Sequence, residues 1–147
     1  MIRPAHALDA GAVGGLLTQM VTDFDWMPRL HSAAEDVAHA DQLIANGWVQ
    51  VAEQEGAFAG FIARDGGFIH ALYVMPDQRG RSIGAALLQT AKEAQPDLTL
   101  WTFQANTGAQ RFYLRHGFTE AARSDGARND EKLPDIRYEW HREKDAS

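Results

Sequence analysis

The segment LYVMPDQRGRSIGAALL, residues 72–88, joins a strand pattern to a helix pattern through a short polar loop. Its β-branched and aromatic start stops at a proline, and its end has the apolar spacing of a helix. The loop carries Arg79 and Arg81, while Gly80 and Gly84 let a backbone approach a ligand closely. Because unpaired N–H groups and the helix dipole both attract anions at a helix start, the segment predicts a phosphate-sized anion site.

Two other phosphate-binding loops do not fit this segment. A P-loop requires a Gly-Lys pair before Ser or Thr, and the chain contains no Gly-Lys pair. A dinucleotide-binding loop requires Gly-x-Gly-x-x-Gly followed about 20 positions later by an acidic residue, and the spacing from Gly80 to Gly84 does not match it. An ordinary strand-to-helix turn with exposed arginines remains the structural alternative.

Length and composition restrict the protein to a few classes. The 147 residues predict one domain spanning 1–147, and the net charge of −6 argues against a nucleic-acid partner. The chain has no cysteine, which excludes thiolate catalysis and zinc–thiolate sites. The six histidines lack the spacing of a metal site, so no metal is expected. Without a signal-like or membrane-length apolar run, a cytoplasmic protein with no membrane partner is predicted.

Apolar periodicity predicts the element order β-α-α-β-β-β-α-β-α-β-β. Residues 48–53, 57–63 and 68–74 are expected to form three consecutive strands joined by tight turns. The polar stretch 121–132 is expected to be a mobile hairpin before a last strand at 136–140. This order predicts an α+β sandwich around one mixed sheet.

Two motifs and this element order resemble the GNAT superfamily of acyl-CoA-dependent N-acetyltransferases. The family's loop reads Arg/Gln-x-x-Gly-x-Gly/Ala, and this chain has Arg79-x-x-Ser82-x-Gly84. The serine keeps the backbone N–H, so the departure is mild unless its position needs a positive φ. The second motif runs from Asn106 through Phe112-Tyr113 to Gly117-Phe118. The resemblance implies a GNAT-like α/β/α sandwich whose mixed, mostly antiparallel sheet splays at an acyl-CoA notch.

The resemblance also implies which residues bind acetyl-CoA as the acyl donor. The backbone of the strand at 72–74 would pair with the pantetheine arm like an added strand, and the loop would hold the pyrophosphate. Asn106 would bond the arm's amides, although it also suits a helix cap. The expected donor-binding residues are Leu72, Tyr73, Val74, Arg79, Gly80, Arg81, Ser82, Ile83, Gly84, Ala85, Asn106 and Phe112.

Two residues are expected to move protons. Tyr113 matches the family tyrosine that protonates the leaving thiolate, although an aromatic on a short helix is more often a core residue. His70 lies two residues before the pantetheine segment, where the arylalkylamine branch carries a histidine that relays a proton through water. A partly buried sheet histidine with a backbone partner is an equal alternative.

The segment 26–35 falls where GNAT enzymes build the acceptor wall. Trp26 and Met27 offer apolar surface, and His31 and Glu35 are four residues apart. A carboxylate at this place suits an ammonium group or the role of the base. However, Ser32 and Glu35 also match a capping box, which is the better explanation of Glu35.

These observations predict direct transfer of an acetyl group from acetyl-CoA to the primary amine of a small molecule. Since there is no cysteine, an acyl-cysteine intermediate is excluded. Two alternatives stay open, which are a non-catalytic acyl-CoA-binding or sensing module and an acetyltransferase acting on a protein amine. The sequence leaves open whether the chain forms a homodimer.

Overall fold

The computed structural model describes residues 1–143, and the element order in that range is the predicted one. The four helices are α1 (Ala10–Asp23), α2 (Ala33–Ala45), α3 (Ile83–Ala94) and α4 (Thr107–Arg115). The strands are β1 (Ile2–Pro4), β2 (Val49–Gln54), β3 (Ala57–Asp65), β4 (Phe68–Val74), β5 (Asp97–Phe103), β6 (Thr119–Ser124) and β7 (Asp135–His141).

The seven strands form one mixed sheet in the order β1-β2-β3-β4-β5-β7-β6. Neighbours pair antiparallel except β4 and β5, which run parallel and have Phe68 and Thr99 as their one registered pair of Cα partners. Beyond that pair the two strands separate. The edge of β4 that faces β5 is therefore left without a strand partner over most of its length.

Apolar side chains divide between the two faces of the sheet. Leu87 and Leu88 of α3 lie in a buried cluster with Phe118. On the other face, Val13 and Leu16 of α1 belong to a second buried cluster. Because strand side chains alternate, β4 sends Leu72 and Val74 to the first cluster, and Ala71 and Tyr73 to the second. The expected α+β sandwich is thus confirmed.

The expected hairpin at 121–132 is wrong in its first part. Strand β6 continues to Ser124 and pairs with β7, so only the rest of the stretch is a loop. Within that loop the Asn129 side chain donates to the Leu133 carbonyl at 2.7 Å, and the Lys132 ammonium donates to the Ala127 carbonyl at 2.8 Å. Polar composition hides these pairings, since β6 is an edge strand with exposed side chains.

Candidate active site

The separation of β4 from β5 opens a cleft of about 560 Å³ that reaches from the end of α1 to α3 and α4, which we call the notch. Strand β4 contributes three consecutive residues to it, and α4 contributes its first two turns. The notch is lined by Met20, Phe24, Trp26, Leu72, Tyr73, Val74, Arg79, Gly84, Ala105, Asn106, Thr107, Gly108, Ala109, Phe112 and Tyr113.

A second cleft of about 490 Å³, the loop pocket, lies at the start of α3. It shares Val74, Arg79, Gly84 and Phe112 with the notch, so the two clefts join into one elongated groove. A side chain at Gly84 would point at the Phe112 ring, whose nearest atoms lie 3.5 Å from the position of a Cβ. The expected residues that line the loop pocket are Val74, Arg79, Gly80, Ser82, Ile83, Gly84, Ala85 and Phe112.

The backbone of the loop turns through two left-handed residues. Gly80 has φ 81° and Ser82 has φ 63°. The position of Ser82 does need a positive φ, so the serine is a strained substitution for glycine rather than a mild one. Its side chain makes no capping hydrogen bond to α3, which leaves the first N–H groups of that helix available to an anion.

The two loop arginines have different positions. Arg79 lines both the notch and the loop pocket, and its guanidinium lies 3.6 Å from the Met20 sulfur. Arg81 is exposed and lines neither cleft. Of the two expected phosphate ligands, only Arg79 therefore borders the groove.

Asn106 combines the two roles that its position suggests. Its side-chain oxygen accepts a hydrogen bond from the Ala109 N–H at 3.1 Å and so caps α4. The residue also lines the notch opposite β4. Because the cap uses the oxygen, the side-chain amide group remains free to donate to a ligand.

Tyr113 lies at the inner end of the notch. Its side chain is nearly buried, and the ring packs edge-on against Phe118 with 5.4 Å between centroids. Burial raises the pKa of the Tyr113 hydroxyl, and the neighbouring Tyr73 raises it further. The hydroxyl therefore stays protonated at neutral pH, which is the state that a general acid requires.

His70 reaches the same region from the sheet. A gap of about 80 Å³ between β4 and β5 is lined by both His70 and Tyr113. The imidazole itself is exposed and stacks on Trp48 with 4.9 Å between centroids and 8° between planes. Burial lowers the pKa of His70, which favours the neutral form that a base requires.

The expected acceptor residues separate into three places. Met27 and His31 line a small cleft of about 170 Å³ beside Tyr73 and Phe103, which we call the side cleft. Trp26 instead lines the notch. Its ring stacks on Phe24 at 4.8 Å and meets Phe103 edge-on at 5.7 Å between centroids. Glu35 borders none of these clefts.

Glu35 is a capping residue in this structure. Its carboxylate accepts a hydrogen bond from the Ser32 N–H at 3.0 Å, and its own N–H donates to the Ser32 hydroxyl at 3.1 Å. These bonds lower the pKa of the Glu35 carboxyl, and its side chain is 63% exposed. Both facts disfavour it as a base, because a base gains from a raised pKa.

The structure adds site residues that the sequence did not single out. Arg115 and His116 line the loop pocket, and His116 packs on Phe112 with 4.5 Å between ring centroids. Both residues could have been predicted from Phe112, because residues three and four positions apart lie on the same face of a helix. Glu131 lines the side cleft from the loop between β6 and β7, and no local pattern marks it.

Residues 1–143 offer neither a metal-binding cluster nor a membrane-spanning helix. No cluster of three or more His, Cys, Asp or Glu side chains in this range has an arrangement that would hold a metal ion. In the same range no helix is both long and apolar enough to cross a membrane.

Sequence comparison relates part of the chain to bacterial enzymes. The chain is 37% identical over 79 residues to the peptidyl-lysine N-acetyltransferase YiaC of Escherichia coli, which is 53% of this chain and 54% of that protein. It is also 37% identical over 78 residues to the peptidyl-lysine N-acetyltransferase YjaB of Salmonella typhimurium, 53% of each. The matched stretch therefore spans about half the length of these relatives.

The chain also resembles solved structures and matches a family model. The apo-form of Escherichia coli YjaB superposes with a TM-score of 0.80 at 22% identity, covering 97% of this chain and 98% of that one. The yncA protein of Salmonella typhimurium, solved with acetyl-CoA, has a TM-score of 0.73 at 20% identity over 100% and 96% of the two chains. At such identities these likenesses establish the fold alone. The acetyltransferase (GNAT) domain model matches residues 45–120, more than half of the chain, and the protein therefore belongs to the GNAT family of acetyltransferases, whose acyl donor is acetyl-CoA.

Proposed function

We propose that this protein is an acetyl-CoA-dependent N-acetyltransferase whose acceptor is the side-chain amine of a lysine in a polypeptide. The observation that carries the proposal is the continuous groove that runs from the α3 N-terminus to Tyr113. Helix N–H groups and Arg79 suit phosphates at one end, and a protonated phenol suits a leaving thiolate at the other.

The transfer is direct. The unpaired edge of β4 offers backbone groups to the pantetheine arm, and an N–H of that edge is suited to the oxyanion that forms when the amine attacks the thioester. The C–S bond then breaks, and the Tyr113 hydroxyl gives its proton to the departing thiolate. No acyl-enzyme intermediate on cysteine is available, because the chain has none.

His70 is the proposed start of a proton relay from the acceptor. His70 and Tyr113 both line the gap between β4 and β5, so water in that gap would connect the two residues. The amine has to lose a proton before it attacks, since an alkyl amine has a pKa of about 10.4. The stacking of His70 on Trp48 fixes the plane of the ring.

Two observations support a polypeptide acceptor. Relatives that match half of the chain are named peptidyl-lysine N-acetyltransferases. In addition, the side cleft adjoins a groove of about 630 Å³ along β5, β6 and β7, and Phe103 and Glu131 line both. A lysine side chain is narrow enough for the side cleft, and the wider groove offers space for the flanking peptide. The second candidate is the free small amine, which is favoured by the small volume of the side cleft.

A thiol-release assay tests the proposal with little background. Since the protein has no cysteine, any thiol that appears with acetyl-CoA and an acceptor is free CoA. We expect CoA release with lysine-containing peptides and mass addition of one acetyl group on the lysine. Faster acetylation of free alkyl amines than of peptides would favour the second candidate. Binding of acetyl-CoA without release for either acceptor class would contradict the enzyme assignment and favour a sensing module.

A further inference from the structure

Glu131 is placed between the two openings on the acceptor side. It lies in the loop between β6 and β7 and lines both the side cleft and the groove along β5 to β7. Tyr73 and Phe103 also line the side cleft. The carboxylate thus stands where an acceptor chain would pass from the groove towards β4.

The chemistry of this carboxylate is unusual for a surface loop. Its Oε2 atom is shielded from solvent and has no hydrogen-bond partner among the described residues. Burial raises the pKa of the Glu131 carboxyl, and the nearby charges of Asp130 and Asp135 raise it further, while His31 and its own backbone N–H act in the opposite direction. Shielding a carboxylate from water raises the free energy of the folded protein unless a cation or a bound proton neutralises the charge.

The loop holds Glu131 in a fixed position. Asn129 donates both to the Leu133 carbonyl at 2.7 Å and to the Asp135 carboxylate at 3.2 Å. Ser124 bonds the other oxygen of Asp135, which ties the two ends of the loop together. A carboxylate held in this way is preorganised, so a ligand can bind without first having to order the side chain.

The other carboxylates near the side cleft already have partners. Asp36, which also lines it, accepts a hydrogen bond from the Thr18 hydroxyl at 2.7 Å. Glu35 is used in the capping box of α2. Among the described carboxylates that line the side cleft, only Glu131 has an oxygen that is both shielded from solvent and without a hydrogen-bond partner.

We propose that Glu131 binds the ammonium group of the acceptor and makes the site selective for primary alkyl amines that are cationic at neutral pH. This inference rests on the proposed acetyltransferase activity and names the residue that recognises its acceptor. The positive charges that line the side cleft, on Arg29 and on His31 when protonated, belong to exposed residues. An ammonium ion would give Oε2 the donor that it lacks.

The test compares Glu131→Gln, Glu131→Asp and Asp130→Asn with the wild-type protein in the thiol-release assay. The neutral Gln variant should raise KM for a lysine peptide by about 10- to 100-fold, the cost of losing a hydrogen bond to a charged group. Its KM for acetyl-CoA should not change, and its melting temperature should not fall, because the variant removes a shielded charge. The Asp variant keeps the charge and should recover part of the affinity. Asp130→Asn removes an exposed neighbouring charge but keeps Glu131, so its KM for the peptide should stay much closer to wild type than that of Glu131→Gln.

A binding measurement on the unmodified protein separates this inference from the proposed function. Butylammonium should bind wild type at least about tenfold more tightly than butanol, which has a similar shape and no charge. This measurement needs no turnover, so it tests Glu131 even if no CoA release is found. Equal binding of amine and alcohol, or equal peptide KM in wild type and Glu131→Gln, would overturn the assignment.

Discussion

The donor side and the acceptor side of this molecule are assembled in different ways. The loop pocket takes all its residues from one continuous span, 74–116. The side cleft takes its residues from 18–36, Tyr73, Phe103 and Glu131. The GNAT model matches 45–120, so it covers the loop pocket completely but leaves out most of the acceptor wall. Family membership therefore carries information about the donor and little about the acceptor.

The largest effect is expected where the two sides meet. Tyr113→Phe removes only the buried hydroxyl, so packing and acetyl-CoA affinity should be preserved. The turnover number should fall by about 100-fold if proton donation to the thiolate limits the rate. Single-turnover kinetics with a lysine peptide would measure it, provided that chemistry is the slow step.

Tyr138→Phe is the matched control for this variant. Tyr138 is also buried, and its ring lies 6.3 Å from that of Tyr113, but it does not line the notch. It should retain wild-type turnover. Equal turnover in Tyr113→Phe and wild type would show that Tyr113 is not the acid and that water protonates the thiolate.

A smaller effect should separate the two loop arginines. Arg79→Ala should weaken acetyl-CoA binding by about tenfold, because a charge-assisted contact to phosphate is lost from the groove. Arg81→Ala should weaken it much less, since Arg81 lines neither cleft. Calorimetric titration of both variants at low and moderate salt measures the difference. An equal loss of acetyl-CoA affinity in the two variants would show that Arg81 also contacts the phosphates, so that both arginines of the loop bind the donor.

The same contrast explains which features the sequence predicts. The strand–loop–helix order, the capping box at Ser32 and the double role of Asn106 all follow from local spacing. By contrast, Trp26 turns into the notch, where its ring meets Phe103 of the distant strand β5. Glu131 has no local signature, since its role depends on a cleft whose other walls lie far away in the chain. Such contacts join residues that are far apart in the sequence, and the spacing of apolar residues does not predict them.

The smallest effect concerns the strained residue in the loop. Ser82 has φ 63° and ψ 19°, a left-handed conformation that costs a non-glycine residue about 1–2 kcal/mol. Ser82→Gly removes this strain, but glycine also adds about 0.5–1 kcal/mol of chain entropy to the unfolded state. The net change should be a stabilisation between zero and about 1.5 kcal/mol, which at about 2–4 °C per kcal/mol for a chain of this size raises the melting temperature by at most about 6 °C.

Ser82→Ala distinguishes strain from chemistry at the same position. Alanine keeps the backbone strain and removes only the hydroxyl, which makes no capping hydrogen bond to α3. We therefore expect Ser82→Ala to have the stability of wild type, and both variants to bind acetyl-CoA with unchanged affinity, because the backbone N–H serves the anion in each. If both variants instead bind acetyl-CoA more weakly by a similar factor, the hydroxyl contacts a phosphate. The serine would then bind the donor directly, although its position strains the backbone.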